Sequence, residues 1–222
     1  MTDAPIVVVR GEVFREVPPE IARFSVTVSA RDRDRQVVLI RLAERAEAIR
    51  SLIDGYGAAI ERRETGQLWV RPEFKGSGER IAAYLGNVTT TVTVTDFGRL
   101  GELMLRLAGQ GEASVAGPWW ELRPGSPVHR EARRAAVGDA IARAREYADA
   151  LGAEVTALLQ LSDNGPVDRP MMAVASFGTM RAGAGEPPEL QLDPQPQSVH
   201  AVVEARFTIT RPRLEDAGST AG

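Results

Sequence analysis

The stretch VTTTVTVTDFGRLGELMLRLAG, residues 88–109, changes its hydrophobic period partway along. Up to residue 95, positions 88, 90, 92 and 94 alternate with threonines, as in a half-buried β-strand. Beyond Asp96 the apolar residues recur at three- and four-residue spacing, which predicts one face of an amphipathic helix: Leu100, Leu103, Met104 and Leu107. Asp96 is the expected N-cap. The stretch therefore predicts a strand followed directly by a helix.

The same change of period occurs earlier in the chain. Residues 20–30 alternate as a strand, with Ala22, Phe24, Val26 and Val28 on one face. A helix is predicted from about Asp32 to Gly55 or Gly57, with an apolar stripe of Leu39, Leu42, Ala46, Ile49 and Ile53. Residues 58–96 are predicted to be strand, with one turn at Thr65-Gly66 and a hairpin at 75–79. The order strand, helix, strands, helix, strand over residues 20–123 favours a ferredoxin-like split unit.

The remaining elements complete an α+β fold. Residues 6–13 and 113–123 are predicted strands, residues 128–152 a helix, and residues 154–162 and 199–210 two further strands. We expect an antiparallel or mixed sheet packed against long helices. No linker divides the chain, so residues 1–211 are predicted to form a single domain, with 212–222 as a disordered tail.

The helix of residues 128–152 carries five arginines, but also four acidic residues. Its predicted apolar face is broad and consists of Ala136, Val137, Ala140, Ile141, Ala144, Tyr147, Ala148 and Leu151. Alanine recurs at every fourth position from Ala132 to Ala148. Such a ridge of small side chains allows another element to approach the backbone closely. The stretch is therefore predicted to be a buried structural helix rather than a basic arm.

Composition excludes several classes of function. A net charge of −3 and a pI near 5.6 argue against a nucleic-acid-binding protein. The absence of cysteine excludes disulfides, zinc-thiolate sites and a cysteine nucleophile. No stretch approaches ~18 consecutive apolar residues, so no transmembrane segment is expected. The N-terminus has an acidic residue where a signal peptide needs positive charge, which predicts a cytoplasmic protein if Met1 is the native start.

No motif predicts catalysis or ligand binding. The two histidines, His129 and His200, have no second imidazole or thiol at ligand spacing, so a structural or surface role is expected. Asp32 and Asp34 lack the rest of a calcium loop and are predicted to cap a helix. A nucleophile elbow, a P-loop and a dinucleotide fingerprint are all absent. We therefore predict no catalytic residue, no cofactor, no metal and no enzymatic activity.

Two features favour contact with a partner. Trp119 and Trp120 must face opposite ways in a strand, and we assign Trp120 to the core and Trp119 to the wetter face. Residues 164–197 form a long segment rich in Pro and Gly that also contains Met171, Met172, Phe177 and Met180. Three interpretations of this segment stay open: a contact surface for assembly or a partner, a partly disordered connector, and a lid over a small-molecule site.

Several motifs in this order resemble the SIMPL domain family, which includes bacterial periplasmic immunogenic proteins and a mammalian protein associated with a pelle-like kinase. They are VPPEIARFSVTV at 17–28, YLGNVTTTVTVTDFGRLGELM at 84–104, GPWWEL at 117–122 and EARRAAVGDAIARAREYADALG at 131–152. The resemblance implies an antiparallel sheet with long helices, ring assembly in some members, and roles from oxidative-stress protection to signalling. It carries over no catalytic residue. Most bacterial members are exported, whereas no signal peptide is expected here if Met1 is the native start.

The sequence thus predicts a non-enzymatic SIMPL-domain protein that forms a homo-oligomer or binds a protein partner, with a link to stress response. The alternative is a small-molecule-binding protein or enzyme whose pocket lies under the segment 164–197.

Overall fold

The computed structural model describes residues 4–75, 80–163 and 190–213. In chain order its strands are β1 (Ile6–Val17), β2 (Ile21–Asp32), β3 (Ile60–Phe74), β4 (Ile81–Val94), β5 (Ala113–Glu121), β6 (Val155–Ser162) and β7 (Gln197–Ile209). Its α-helices are α1 (Arg35–Asp54), α2 (Leu100–Ala108) and α3 (Pro127–Ala150). The mixture of helices with two antiparallel sheets confirms the α+β class.

The described residues fall into two compact units. The central unit comprises residues 18–123 with 190–197, and the terminal unit comprises residues 4–17, 124–163 and 198–213. Each unit has its own sheet and its own helix packing. The residues of each unit contact one another more than they contact the other unit. The single domain over residues 1–211 stays a prediction.

The central unit has the ferredoxin-like topology that the element order predicts. Its sheet has the order β3-β4-β2-β5, and each adjacent pair is antiparallel. Strand β4 thus lies between β2 and β3, which α1 connects, and β2 lies between β4 and β5, which α2 connects. This interleaving of two strand-helix-strand units is the split arrangement.

The core of the central unit lies between the helices and one face of this sheet. On β2 the buried side chains alternate with partly exposed ones, and the largest fully buried side chain is Phe24. All four residues of the predicted α2 stripe are buried. On α1 the prediction was wrong by one position at the start, because Val38 is fully buried while Leu39 is 37% exposed. Neighbouring helix positions differ by about 100°, so only one of the two can face the sheet.

The hairpin of β3 and β4 contains one wrongly predicted turn. Strand β3 continues through Thr65-Gly66, and the pairing register shifts between Thr65 and Leu68 instead. A β-bulge absorbs the one extra residue of β3 without reversing the chain, so the glycine marks an irregularity within a strand. At the end of the hairpin, the Lys75 N–H donates to the Arg80 carbonyl at 3.1 Å, which confirms the predicted reversal there.

The terminal unit packs α3 against a three-stranded sheet of order β1-β7-β6. The five alanines of the predicted ridge are the buried residues of α3, and four of them are fully inaccessible. A Cβ on Gly11 of β1 would lie 2.0 Å from the Ala136 carbonyl oxygen and 2.8 Å from the Ala140 Cβ. The alanine ridge and the glycine together therefore permit this close approach. Tyr147, predicted for the buried face, is 55% exposed, so the buried face of α3 is narrower than predicted.

Candidate functional site

The most distinctive surface of the terminal unit is the outer edge of β6, which we call the open edge (Val155–Ser162). Strand β6 pairs with β7 along one side, and no strand among the described residues pairs with its other side. Its three leucines, Leu158, Leu159 and Leu161, are 52%, 53% and 47% exposed. An edge strand with exposed apolar side chains is a template for the addition of another strand.

The exposure of these leucines follows from the position of α3. In the pairing with β7, Leu158 lies opposite Phe207 and Leu161 opposite Ala205, both of which are buried. Those two leucines therefore lie on the face of the sheet that α3 covers. The helix packs closely against β1, however, and contacts β6 little. Leu159 lies in the register shift between Leu158 and Gln160.

The other three edge strands carry residues that oppose strand addition. Charged side chains and proline on an edge strand discourage pairing with another chain. Strand β1 has four charged residues, which are Arg10, Glu12, Arg15 and Glu16. Strand β3 has six charged residues, Glu61, Arg62, Arg63, Glu64, Arg71 and Glu73, together with Pro72. Strand β5 has Glu121, Pro118 and a backbone irregularity at Gly117, whose φ is 118°. Strand β6, with the sequence VTALLQLS, has neither a charge nor a proline.

A small aromatic and ionic cluster lies on the sheet of the terminal unit. The His200 ring stacks on Phe14 with the ring centroids 3.9 Å apart, and its Nε2 lies 2.6 Å from Glu12 Oε1. Arg10 also pairs with the Glu12 carboxylate at 3.3 Å. Arg10, Glu12 and Phe14 thus surround His200 with local contacts. These contacts agree with the structural role predicted for this histidine. Phe14 itself is 70% exposed.

The two tryptophans of β5 lie as their parity predicts. Trp120 packs against the central core and meets Phe97 edge to face, with the centroids 4.9 Å apart. Trp119 lies opposite Arg23 of β2 and is 37% exposed. Its placement on the wetter face is confirmed, while its role as a partner contact stays a prediction.

The other predicted contact residues, Met171, Met172, Phe177 and Met180, lie outside the described residues. The segment 164–197, under which a pocket was the alternative prediction, is described only at residues 190–197. There Leu192 packs against the core of the central unit. A Cβ on Gly101 of α2 would lie 1.8 Å from the Leu190 carbonyl oxygen, so this part of the segment runs directly against the helix backbone.

Of the acidic pair before α1, Asp34 caps the helix as predicted, whereas Asp32 is the last residue of β2. Asp34 is the N-cap, and its Oδ1 accepts a hydrogen bond from the Gln36 N–H at 2.8 Å. Asp32 Oδ1 accepts from the Asp34 N–H at 3.0 Å, and its carboxylate pairs with Arg41 at 3.1 Å. The backbone hydrogen bond from Asp34 is the main reason that the pKa of the Asp32 carboxyl lies below its ordinary value. Within residues 4–75, 80–163 and 190–213, no group of three or more His, Cys, Asp or Glu side chains could hold a metal ion.

Tyr56 is a buried ionisable residue whose pKa is shifted from its ordinary value. Its hydroxyl donates to Glu102 Oε1 at 3.0 Å and lies 3.4 Å from an Arg106 guanidinium nitrogen. Burial is the largest cause that raises the pKa of the Tyr56 hydroxyl. A phenol whose pKa is raised stays protonated near neutral pH, so this group serves as a hydrogen-bond donor that joins the end of α1 to α2.

The sequence of the chain matches one family of known proteins over most of its length. The model of the SIMPL family, described as a protein of unknown function (DUF541), matches residues 7–207. The chain belongs to the SIMPL family. None of the curated proteins compared with the chain matches it. In the described part of this SIMPL protein, no helix has both the length and the apolar character needed to cross a membrane.

The open edge was missed by the sequence interpretation. A short apolar run without charge is typical of a strand buried in the interior of a sheet. Residues 155–162 fit that pattern, yet the strand lies at an edge. No local signal separates the two cases, because the pairing of β6 depends on the arrangement of the other strands.

Proposed function

We propose that this SIMPL protein is a non-enzymatic module that assembles with further copies of itself through the open edge. One observation carries the proposal: among the four edge strands described, β6 alone has neither charge nor proline, and its leucines are half exposed. Soluble proteins usually protect such an edge. An unprotected edge therefore indicates a surface that a partner strand covers.

A second copy suits this edge better than an unrelated strand. Two β6 strands that meet antiparallel across a twofold axis would join two three-stranded sheets into one continuous sheet. Because β6 carries no charge, self-pairing places no like charges opposite each other. The main-chain groups would supply the hydrogen bonds, and the leucines would supply apolar area.

The non-enzymatic part of the proposal is supported by the lack of a recognisable catalytic motif and by the local pairing of the ionisable groups described above. The link to stress response is supported by the resemblance to the SIMPL family.

The assembly is tested by size-exclusion chromatography with multi-angle light scattering over a wide concentration range. Wild type is expected to form a dimer or a larger species. Leu159→Asp places a charge on the open edge and should produce a monomer that remains folded, since the side chain is 53% exposed.

The matched control is Leu68→Asp on β3, where the leucine is 59% exposed and the strand is already guarded by charge. This variant should assemble as wild type does. A strict monomer for wild type contradicts the proposal. So does a loss of assembly in Leu68→Asp with no loss in Leu159→Asp, which would place the contact on β3.

A further inference from the structure

Two open cavities adjoin each other along the first half of α3. The first has a volume of about 540 Å³ and lies between the loop 124–127 and the side chains of His129, Arg130 and Arg133. The second has a volume of about 330 Å³, and the same two arginines line it together with Arg134. Both volumes are of the order found for small-molecule sites. Arg130 and Arg133 line both cavities, so the two lie next to each other on α3.

The cations of this site are not neutralised by neighbouring side chains. Within the described ranges of the chain, His129, Arg130, Arg133 and Arg134 form neither an ion pair nor a side-chain hydrogen bond. Further along the same helix, in contrast, Arg143 pairs with Asp139 at 3.0 Å. Asp163 is the one carboxylate among the described lining residues. Three guanidinium groups against one carboxylate leave an excess of positive charge for an anion to balance.

The first two residues of α3 offer no free N–H group to an anion. The Ser126 hydroxyl already accepts a hydrogen bond from the Val128 N–H at 3.3 Å, and Pro127 has no N–H to offer. The guanidinium groups are therefore the donors that face the cavities, and their planar forks suit the paired oxygens of a phosphate.

The second cavity adds an apolar wall next to the arginines. Val137 of α3, Leu161 of β6 and Val203 of β7 line it. The cavity exists because α3 packs across β1 and leaves the α3 face of β6 uncovered, so that Leu161 stays 47% exposed. The second cavity, which we call the groove, thus combines three guanidinium groups with an apolar wall, and the larger basic cavity lies beside it. A ligand that satisfies both parts has an anionic head and an apolar tail.

We propose that this site binds a single-chain alkyl monophosphate, with the phosphate among Arg130, Arg133 and Arg134 and the alkyl chain along Val137 and Leu161. A phosphate fits the head position because the basic cavity is the larger of the two and carries several guanidinium donors. One chain fits the tail position because the groove is small and is lined by three apolar side chains. The site lies on the α3 face of β6, whereas the hydrogen bonds of the assembly use the main-chain edge of that strand and only Leu161 is common to both, so this proposal goes beyond the proposed function.

The test is isothermal titration calorimetry of the full chain with decyl phosphate below its micelle concentration. Decanol and inorganic phosphate are the two half-ligand controls. Decyl phosphate should bind clearly more tightly than either half-ligand. Arg133→Ala removes one charged hydrogen-bond donor and should weaken binding about tenfold or more. Arg145→Ala, on the exposed far part of α3 with no ion pair in the described chain, is the matched control and should bind as wild type.

Leu161→Gln tests the position of the alkyl chain. It should weaken the binding of decyl phosphate and leave the affinity for inorganic phosphate unchanged. Equal loss in Arg133→Ala and Arg145→Ala would indicate attraction by overall charge and would overturn the proposal. Equal affinity for decyl phosphate and inorganic phosphate would overturn the role of the groove. Binding to phosphatidic-acid vesicles without binding of monomeric decyl phosphate would assign the surface to a membrane and would also overturn it. Light scattering of Leu159→Asp judges the assembly separately, because that residue does not line either cavity.

Discussion

Replacing Gly11 by alanine probes the packing of α3 on β1 most directly. The φ angle of Gly11 lies outside the left-handed region, so an alanine meets no backbone strain there, and the effect is purely steric. Its Cβ would lie 2.0 Å from the Ala136 oxygen and 2.6 Å from the Ala140 nitrogen. Both are main-chain atoms, which cannot escape by changing rotamer, so the helix must move by more than an ångström.

Overpacking of this kind lowers the free energy of unfolding by about 3 kcal/mol, the upper end of the usual range. Alanine also reduces the conformational freedom of the unfolded chain, which offsets about 0.4–1 kcal/mol of that loss. The expected net loss is about 2 kcal/mol, or about 4–8 °C in Tm for a chain of this length. Far-UV circular dichroism is the suitable measurement, because all three tryptophans lie in the central unit and would report on that unit alone.

Gly138→Ala makes the same chemical change on α3 where nothing lies within 4 Å of the added Cβ. This variant should stabilise the protein by about 0.5–1 kcal/mol, because glycine is a poor helix former. The opposite signs of the two changes are the critical result. A Gly11→Ala variant as stable as wild type would refute the close packing of the alanine ridge on β1.

Three further predictions concern stability. Ala140→Leu and Ala144→Leu should each destabilise by about 1–3 kcal/mol in urea titrations, because both alanines are fully buried in the ridge; unchanged midpoints in both would contradict the ridge. Phe24→Ala should cost about 3–5 kcal/mol in the same assay, since this ring is the largest fully buried side chain of the central core, and a loss below 1 kcal/mol would argue against that core. Asp32→Asn should lower Tm at pH 7, and the difference from wild type should shrink as the pH falls below about 4. The sign follows from the lowered pKa of Asp32: the stabilisation is present above the unfolded pKa and is lost as the carboxylate becomes protonated in the folded chain. A difference that is independent of pH would show that the carboxylate charge has no part in it.

The proposed assembly and the proposed ligand site both depend on the position of β6. Helix α3 packs its alanine ridge closely against β1 and contacts β6 little, so Leu158 and Leu161 stay about half exposed. The unpaired edge has a different cause, which is that β6 is the last strand in the order β1-β7-β6 within the described residues. A wider apolar helix face would have covered Leu158 and Leu161 and removed the groove.

Local patterns predicted much of the central unit. The alternation at 88–95 and the four-residue stripe at 100–107 correspond to β4 and α2, because the period of burial is a local property of each element. The cap at Asp34 and the opposite orientations of Trp119 and Trp120 follow from the same kind of local geometry. The turn wrongly predicted at Thr65-Gly66 shows the limit of this approach, since a glycine in a strand can mark either a turn or a bulge until the partner strand is known.

Hydrophobic period and capping act over a few residues, so the sequence was enough to predict most of the elements, the α+β class and the alanine ridge. The division of the strands into two sheets and the edge position of β6 became visible in the folded chain. The same is true of the cavity that Arg130, Arg133 and Arg134 line with Leu161, which lies 27 positions beyond Arg134 in the chain. Strand order and the meeting of distant side chains depend on which apolar surfaces bury one another most completely, and that competition involves the whole chain at once.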